Sequence, residues 1–143
     1  MGAVLGIFIS NGGVPKTRVD SIQIEIEGLV GDNQADKKHH GGVMRAVCVL
    51  ENEVLTKLQL EGHPIMPGTT GENLLVEGFN LDIGTVFTVG DAELEVVSAA
   101  TPCKTIAASF IDGNFNRLSH KKYPKDTRWY CRVLKPGSIN IFD

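Results

Sequence analysis

The residue best suited to chemistry in this sequence is Cys103, which lies in the segment ATPCKTIAASF. Thr101 and Pro102 are residue types that favour the cap and first position of a helix, so the pattern predicts that Cys103 lies just inside a helix start. Unpaired backbone N–H groups, the helix dipole and the ammonium group of Lys104 would all favour a thiolate there. Because the thiolate is the form that attacks sulfur or binds a soft metal, we predict a reactive cysteine. The alternative is that Cys103 packs as a small apolar residue.

The other two cysteines show no comparable pattern. Cys48 lies in the apolar run AVCVL and is predicted to belong to the core, and core packing is also the expected role of Cys131 in WYCRVL. An odd number of cysteines without a C-x-x-C spacing indicates neither a disulfide framework nor a structural zinc site. These cysteines therefore fit a reducing cytoplasm.

A second candidate site is the polar segment GDNQADKKHHGGVMR, between two predicted strands. Paired glycines let the backbone approach a ligand closely, while basic and histidine side chains donate hydrogen bonds to a phosphate or another anion. The alternatives are a solvated turn and, for the histidine pair, metal binding. The candidate ligand-binding residues are Lys38, His40, Gly41, Gly42 and Arg45.

Two further segments carry candidate residues. In GTTGENLLVEG, Glu72 and Asn73 stand between a glycine loop and an apolar strand, where both side chains would point into a cleft or hydrogen-bond locally within the turn. Residues 117–132 contain six Lys and Arg residues, a density typical of solvated surface that also forms a local basic patch. Arg132 of this patch is a candidate contact for an anionic ligand.

The elements that position these residues are predicted to be mainly strands. Glycines separate short apolar segments, IQIEIE from Ile22 alternates as a half-exposed strand does, and AVCVL is typical of a fully buried strand. ENEVLTKLQLEG predicts a short helix capped by Asn52 and closed by Gly62, and Gly90-Asp91 predicts a hairpin turn. Arg132 to Leu134 and Ile139 to Phe142 predict two final strands. About seven strands with one or two short helices indicate a mixed or antiparallel β-barrel.

Composition narrows the classes of function. The chain has 143 residues, a mass of 15.5 kDa and a net charge of −3, which predicts one domain over residues 1–143 and disfavours nucleic acid as a partner. The N-terminal apolar stretch lacks a basic region and is too short to span a bilayer, so it is predicted to be a first strand without membrane association. Neither common nucleotide-binding glycine motif is present.

Taken in order, the motifs resemble the MOSC family, named for the C-terminal domain of molybdenum cofactor sulfurase. The motifs that carry the resemblance are GLVGD at 28–32, HGG at 40–42, PGTTGENL at 67–74, IGTVFTVGDAELEV from Ile83, PC at 102–103 and RVLKPG at 132–137. Each motif is weak alone, but the ordered set covers most of the chain and is specific.

The resemblance implies a MOSC-type β-barrel and a functional cysteine at Cys103, which accepts or carries sulfur or ligates the molybdenum of a bound pterin cofactor. It also implies that His40, Gly41, Gly42, Glu72 and Asn73 help to form the cofactor pocket. The sequence departs from the family pattern in two places. No arginine stands shortly before Pro102-Cys103, and the usual glycine-aspartate near the last strand is missing.

Several functions remain open at this point. The first is a molybdenum-cofactor-binding or sulfur-carrier domain in which Lys38, Arg45 and Arg132 meet the pterin phosphate, with cofactor-synthesis or sulfur-donor proteins as partners. The second is the cofactor-bearing subunit of a reductase of N-hydroxylated compounds, supplied with electrons by a separate protein. A non-catalytic module that recruits cofactor-synthesis enzymes is the third, and a thiol hydrolase using His40 or His120 as base is the fourth. No pyridoxal phosphate is expected, because no aminotransferase-like segment accompanies the chain.

Overall fold

Ten β-strands and one α-helix form the part of the chain that the computed structural model describes, which is residues 2–10, 14–32 and 42–143. The elements are β1 (Ala3–Ile9), β2 (Thr17–Val19), β3 (Ser21–Glu25), β4 (Gly28–Leu29), β5 (Val47–Glu51), α1 (Asn52–Leu60), β6 (Leu74–Glu77), β7 (Val86–Val89), β8 (Ala92–Ala100), β9 (Arg128–Lys135) and β10 (Gly137–Asn140). Short 3-10 turns lie at Val43–Arg45, Lys104–Ser109, Ile111–Gly113 and Phe115–Leu118.

Seven of the strands form one mixed sheet in the order β2-β1-β6-β5-β9-β8-β7. The β5 and β6 strands run parallel, with α1 between them in the sequence, and the other neighbours are antiparallel. The described strands do not close into a ring, since β2 and β7 are the two ends of the ladder. The prediction of a mainly β, mixed fold is confirmed, whereas the predicted barrel closure is not.

A three-stranded sheet, in the order β10-β3-β4, accompanies the large one. Ile24 and Ile139 contribute fully buried side chains from it to the main apolar core. The backbone after β10 joins the two sheets, because Val4 N–H donates to the Asp143 carbonyl and Phe142 N–H donates to the Val4 carbonyl.

The two faces of the large sheet have different coverings. Val47, Val49, Trp129 and Cys131 point into the main core on the first face. On the second face, α1 and the 3-10 turns cover a second hydrophobic cluster that includes Leu50. A third, much smaller cluster lies on the same face. The small cluster consists of Cys48, Ala100 and Tyr130.

Several predicted elements are confirmed. The first strand, the fully buried β5, and the β7-β8 hairpin around Gly90-Asp91 form as the sequence predicts. The helix also forms, but its cap position is Glu51, Asn52 is its first residue, and no side chain caps it. The final strands begin earlier than predicted: β9 starts at Arg128 and β10 at Gly137. Helices in the described part of the chain include none that is long and apolar enough to cross a membrane.

Candidate functional site around Cys103

Cys103 lies on the loop that leaves the end of β8 and enters the 3-10 turn Lys104–Ser109. Its backbone is extended, and its carbonyl accepts the first bond of the turn from Ile106 N–H. The prediction that Cys103 lies inside a helix is therefore wrong. The turn has six residues of 3-10 geometry, too few aligned peptides for a strong helix dipole.

The thiol of Cys103 is the chemically accessible one of the three. Its side chain is half-buried, whereas Cys48 and Cys131 are both buried, and all three are free cysteines. The Cys103 sulfur lies 2.8 Å from the Thr105 hydroxyl oxygen, and either atom is able to donate the hydrogen bond. This hydroxyl is positioned to solvate a sulfur anion.

The floor of the site comes from one face of three neighbouring strands. Tyr130 of β9 pairs with Cys48 of β5 and with Ser98 of β8, and two residues earlier Arg128 pairs with Leu50 and Ala100. Because side chains alternate along a strand, Arg128 and Tyr130 point to the same face. Cys103 follows Ala100 by three residues and so leaves the sheet beside this pair.

Several ionisable groups surround the Tyr130 side chain. Burial raises the pKa of the Tyr130 phenol, and the Cys48 and Cys103 thiolates would raise it further, while Arg128 and Arg45 act to lower it. The Arg45 guanidinium carbon also lies 5.5 Å from the centre of the Tyr130 ring. The Tyr130 phenol, Arg45 and Arg128 thus lie together where the Cys103 loop leaves the sheet.

Glu72 and Asn73 are fully buried and use their polar atoms within the chain. The Glu72 carboxylate accepts hydrogen bonds from Gly68 N–H at 2.7 Å and from the Thr70 hydroxyl at 2.8 Å. The Asn73 amide accepts from Cys48 N–H at 2.9 Å and donates to the Phe8 carbonyl at 3.3 Å. The Glu72 contacts are the local hydrogen bonding within the turn that was one of the two predicted roles. The Asn73 contacts instead reach distant segments, and they fix the loop before β6 against β1 and β5.

A buried ion pair extends this network. Asp32 accepts a hydrogen bond from Asn73 at 2.9 Å and forms a 3.0 Å ion pair with Lys16, and both charged side chains are nearly inaccessible to solvent. Ser10 N–H donates to the same carboxylate. The network therefore anchors the start of the candidate anion-binding segment, to which Asp32 itself belongs.

The described part of that segment forms one rim of the site. Gly42 has a φ of +90°, and among the described residues no atom lies within 4 Å of a β-carbon placed on it. Arg45 follows in the 3-10 turn Val43–Arg45 and contacts Tyr130. Lys38, His40 and Gly41 lie outside the described residues, and their predicted role stays a prediction.

The basic stretch divides into exposed and buried members. Arg132 lies on the same strand face as Tyr130, but its guanidinium forms an ion pair with Glu95 at the exposed surface. Arg117 is buried between Glu61 and Asp126, and Arg128 is buried beneath the Cys103 loop. The interpretation of the whole stretch as solvated surface is wrong for these two arginines. Their burial follows from α1 and the loops packed over them, which lie far away in the sequence.

Other arrangements for the thiol find less support. His120 packs edge-on against Trp129, whose ring belongs to the core on the opposite face, and its Nδ1 accepts a hydrogen bond from Lys125 N–H. A histidine base at Cys103 is therefore not supplied by His120. Among residues 2–10, 14–32 and 42–143, no group of three or more His, Cys, Asp or Glu side chains is arranged to hold a metal ion.

Comparison with known proteins identifies relatives of this chain. The MOSC domain family matches residues 36–143. Protein YflK of Bacillus subtilis (strain 168) is 30% identical over 139 residues, which cover 94% of this chain and 62% of YflK. Protein YiiM of Escherichia coli (strain K12) is 28% identical over 135 residues, which cover 89% of this chain and 59% of YiiM. The chain thus spans less than two thirds of the length of either relative.

Solved structures share the fold. The crystal structure of YiiM from Geobacillus stearothermophilus superposes with a TM-score of 0.72 at 19% identity, covering 98% of this chain and 71% of that one. The crystal structure of the YUAD protein from Bacillus subtilis has a TM-score of 0.72 at 18% identity, covering 100% of this chain and 93% of that one.

Proposed function

Since the chain belongs to the MOSC domain family, which is associated with the molybdenum cofactor, we propose that it binds this cofactor or carries sulfur for it through Cys103. The observation that carries the proposal is a half-buried, free thiol two residues after Thr101, whose carbonyl contacts the buried Arg128, at the edge of the sheet face that carries Tyr130 and the neighbouring Arg45. A soft thiolate ligand suits molybdenum or a persulfide, and cations suit an anionic pterin phosphate.

The residues present fit such a group. Arg128 has a buried Nε–H for which the described residues provide no acceptor, so this donor is available to a bound group. No atom of the described residues lies within 4 Å of a β-carbon placed on Gly42, so in this proposal a ligand approaches the backbone closely there. In this proposal Cys103 supplies the sulfur ligand, Arg45 and the exposed Arg132 supply positive charge, and Glu72 and Asn73 hold the surrounding loops. When bound, the metal supplies redox chemistry, and the protein supplies binding, orientation and electrostatics.

The proposal is tested by the metal and pterin content of protein purified without oxygen from a host that makes the cofactor. Wild type, Cys103→Ser and Cys131→Ala are compared. Cys131→Ala is the matched control because it removes a thiol from the opposite face of the sheet. We expect near-stoichiometric metal in wild type and in Cys131→Ala, and loss of metal in Cys103→Ser. Equal metal in all three proteins would overturn Cys103 as the ligand.

The sulfur-carrier form of the proposal has its own measurement. Protein treated with a cysteine desulfurase and free cysteine is analysed by mass spectrometry for the added mass of one sulfur atom on Cys103. Metal-free protein that gains this mass supports sulfur carriage. Protein that gains neither metal nor sulfur would overturn both forms and leave the non-catalytic module.

A further inference from the structure

Arg128 connects the two loops that meet at the site. Its Nη1 donates to the Thr70 carbonyl at 2.6 Å, and its Nη2 makes a longer contact of 3.5 Å with the Thr101 carbonyl. Thr101 stands two residues before Cys103. Since Arg128 also pairs with Ala100 in the sheet, it holds the end of β8 both through the strand ladder and through its side chain.

The same contacts continue to Glu72. The Thr70 hydroxyl donates to the Glu72 carboxylate, while the Thr70 carbonyl accepts from Arg128, so Thr70 joins a buried acid to a buried base. Arg128 and Glu72 also act in opposite directions on the pKa of the same buried group, the Cys48 thiol. Burial raises the pKa of the Cys48 thiol most strongly, Arg128 acts to lower it, and Glu72 acts to raise it. The carboxylate thus supplies countercharge for a guanidinium that is only 5% exposed.

Stability alone does not account for an arginine at this place. The Arg128 Nε–H is buried and has no acceptor in the part of the chain that the structure describes, and a buried donor without an acceptor costs free energy of folding. Arg117 makes the contrast clear, because that arginine is equally buried yet bonds both Glu61 and Asp126.

We propose that Arg128 is a positioning residue that fixes the Cys103 loop against the GTTGEN loop, through a chain of contacts from Glu72 through Thr70 to Thr101. Arg128 acts on the chemistry through the placement of Cys103. The importance of this placement rests on the proposed function, but the placement itself is measurable without any cofactor.

The experiment measures the rate at which iodoacetamide alkylates Cys103 in folded, cofactor-free protein, at an alkaline pH and by mass spectrometry of the Cys103 peptide. Wild type, Arg128→Met, Arg128→Lys and Arg117→Met are compared. We expect several-fold faster alkylation in Arg128→Met, because the half-buried thiol becomes exposed when its loop is released. Arg128→Lys should give an intermediate rate, since an ammonium group retains the charge but lacks the planar fork. Arg117→Met should react like wild type although it loses stability.

Two results would overturn the inference. One is equal alkylation of wild type and folded Arg128→Met, and the other is an equal acceleration in Arg117→Met, which would indicate general loosening. If Arg128→Met does not fold, Glu72→Gln keeps the side-chain volume and weakens the same chain of contacts. Glu72→Gln should also accelerate the alkylation of Cys103, and an alkylation rate equal to that of wild type would contradict the proposal.

The cofactor measurement separates this inference from the proposed function. Metal-free protein in every variant, together with Arg128-dependent alkylation, would reject cofactor binding and retain the positioning role. Metal bound equally by wild type and Arg128→Met, with equal alkylation, would retain cofactor binding and reject the positioning role.

Discussion

Asn73 shows at the scale of a single residue how this protein uses buried polar groups. Its side chain lies among three segments, where it accepts from Cys48 N–H and donates to the Phe8 carbonyl and to Asp32. No solvent reaches it. Removal of the amide would leave the Cys48 N–H buried without its acceptor, and that penalty exceeds the net value of a hydrogen bond. Asn73 is therefore a structural support of the site floor.

The variant Asn73→Leu keeps the number and branching of the side-chain heavy atoms but has no polar atom, and we expect it to lower the free energy of unfolding by roughly 3 kcal/mol. Urea unfolding followed by circular dichroism measures this. Asn116→Leu is the control, since Asn116 lies on the exposed side of a 3-10 turn and should change stability little. If Asn73→Leu lost no more stability than Asn116→Leu, water would be replacing the amide, and Asn73 would not be buried as the structure has it.

At the scale of elements, the β3-β4 turn depends on a close approach of two backbones. Gly28 has a φ of +128°, and a β-carbon there would lie 2.5 Å from the Ala46 carbonyl oxygen. The turn therefore packs directly on the residue that precedes β5. Because β5 supplies Cys48, this contact locates one part of the site floor.

Gly28→Ala should lower the free energy of unfolding by about 2 to 4 kcal/mol, since it adds a steric clash to the strain of a positive φ. Gly84→Ala is the matched control. Gly84 also has a positive φ of +91°, but nothing lies within 4 Å of its added β-carbon. The control should lose only about 1 kcal/mol from backbone strain. Equal losses in thermal or urea unfolding would mean that Ala46 moves away at no cost.

The elements that the sequence predicts well are those whose signals are local. The five residues of β5 are continuously apolar and fully buried, and the two-residue loop of the β7-β8 hairpin needs only a glycine at Gly90. Thr101 and Pro102 suit a helix start and so predict one, but Cys103 is extended, and Arg128 contacts the Thr101 carbonyl from a distant strand. Local propensity does not include such distant contacts.

The site was predictable in part for the same reason. Cys103 stands out by its neighbours in the sequence, whereas Arg128 is one cation among six and shows its burial only when β5, β8 and the GTTGEN loop surround it. The alternation in RWYCRV is the one sequence signal that places Arg128 and Tyr130 on one face. It does not reveal which face carries the site.

At the scale of the whole molecule, the three cysteines occupy different environments on the two faces of the large sheet. Cys131 points into the main core, and Cys48 is buried in the small cluster that it forms with Tyr130 and Ala100. Burial raises the pKa of the Cys131 thiol and of the Cys48 thiol above the ordinary value of 9.0. Both therefore stay protonated and inaccessible while the protein is folded. Of the three thiols, only that of Cys103 is half-buried.

A thiol count with a colorimetric disulfide reagent tests this division of the three cysteines. Native protein should show one fast-reacting thiol, Cys103→Ser should show none, and denatured wild type should show three. The native count should stay at one up to about pH 9, because the two buried thiols remain protonated there. Their raised pKa values also mean that the unfolded chain releases protons first as the pH rises. The stability that these groups contribute is thus complete below pH 9 and declines above it. Two fast thiols in the native protein at neutral pH would show that Cys48 is open to solvent, and the second face would then hold a deeper cleft than Tyr130 and Ala100 allow.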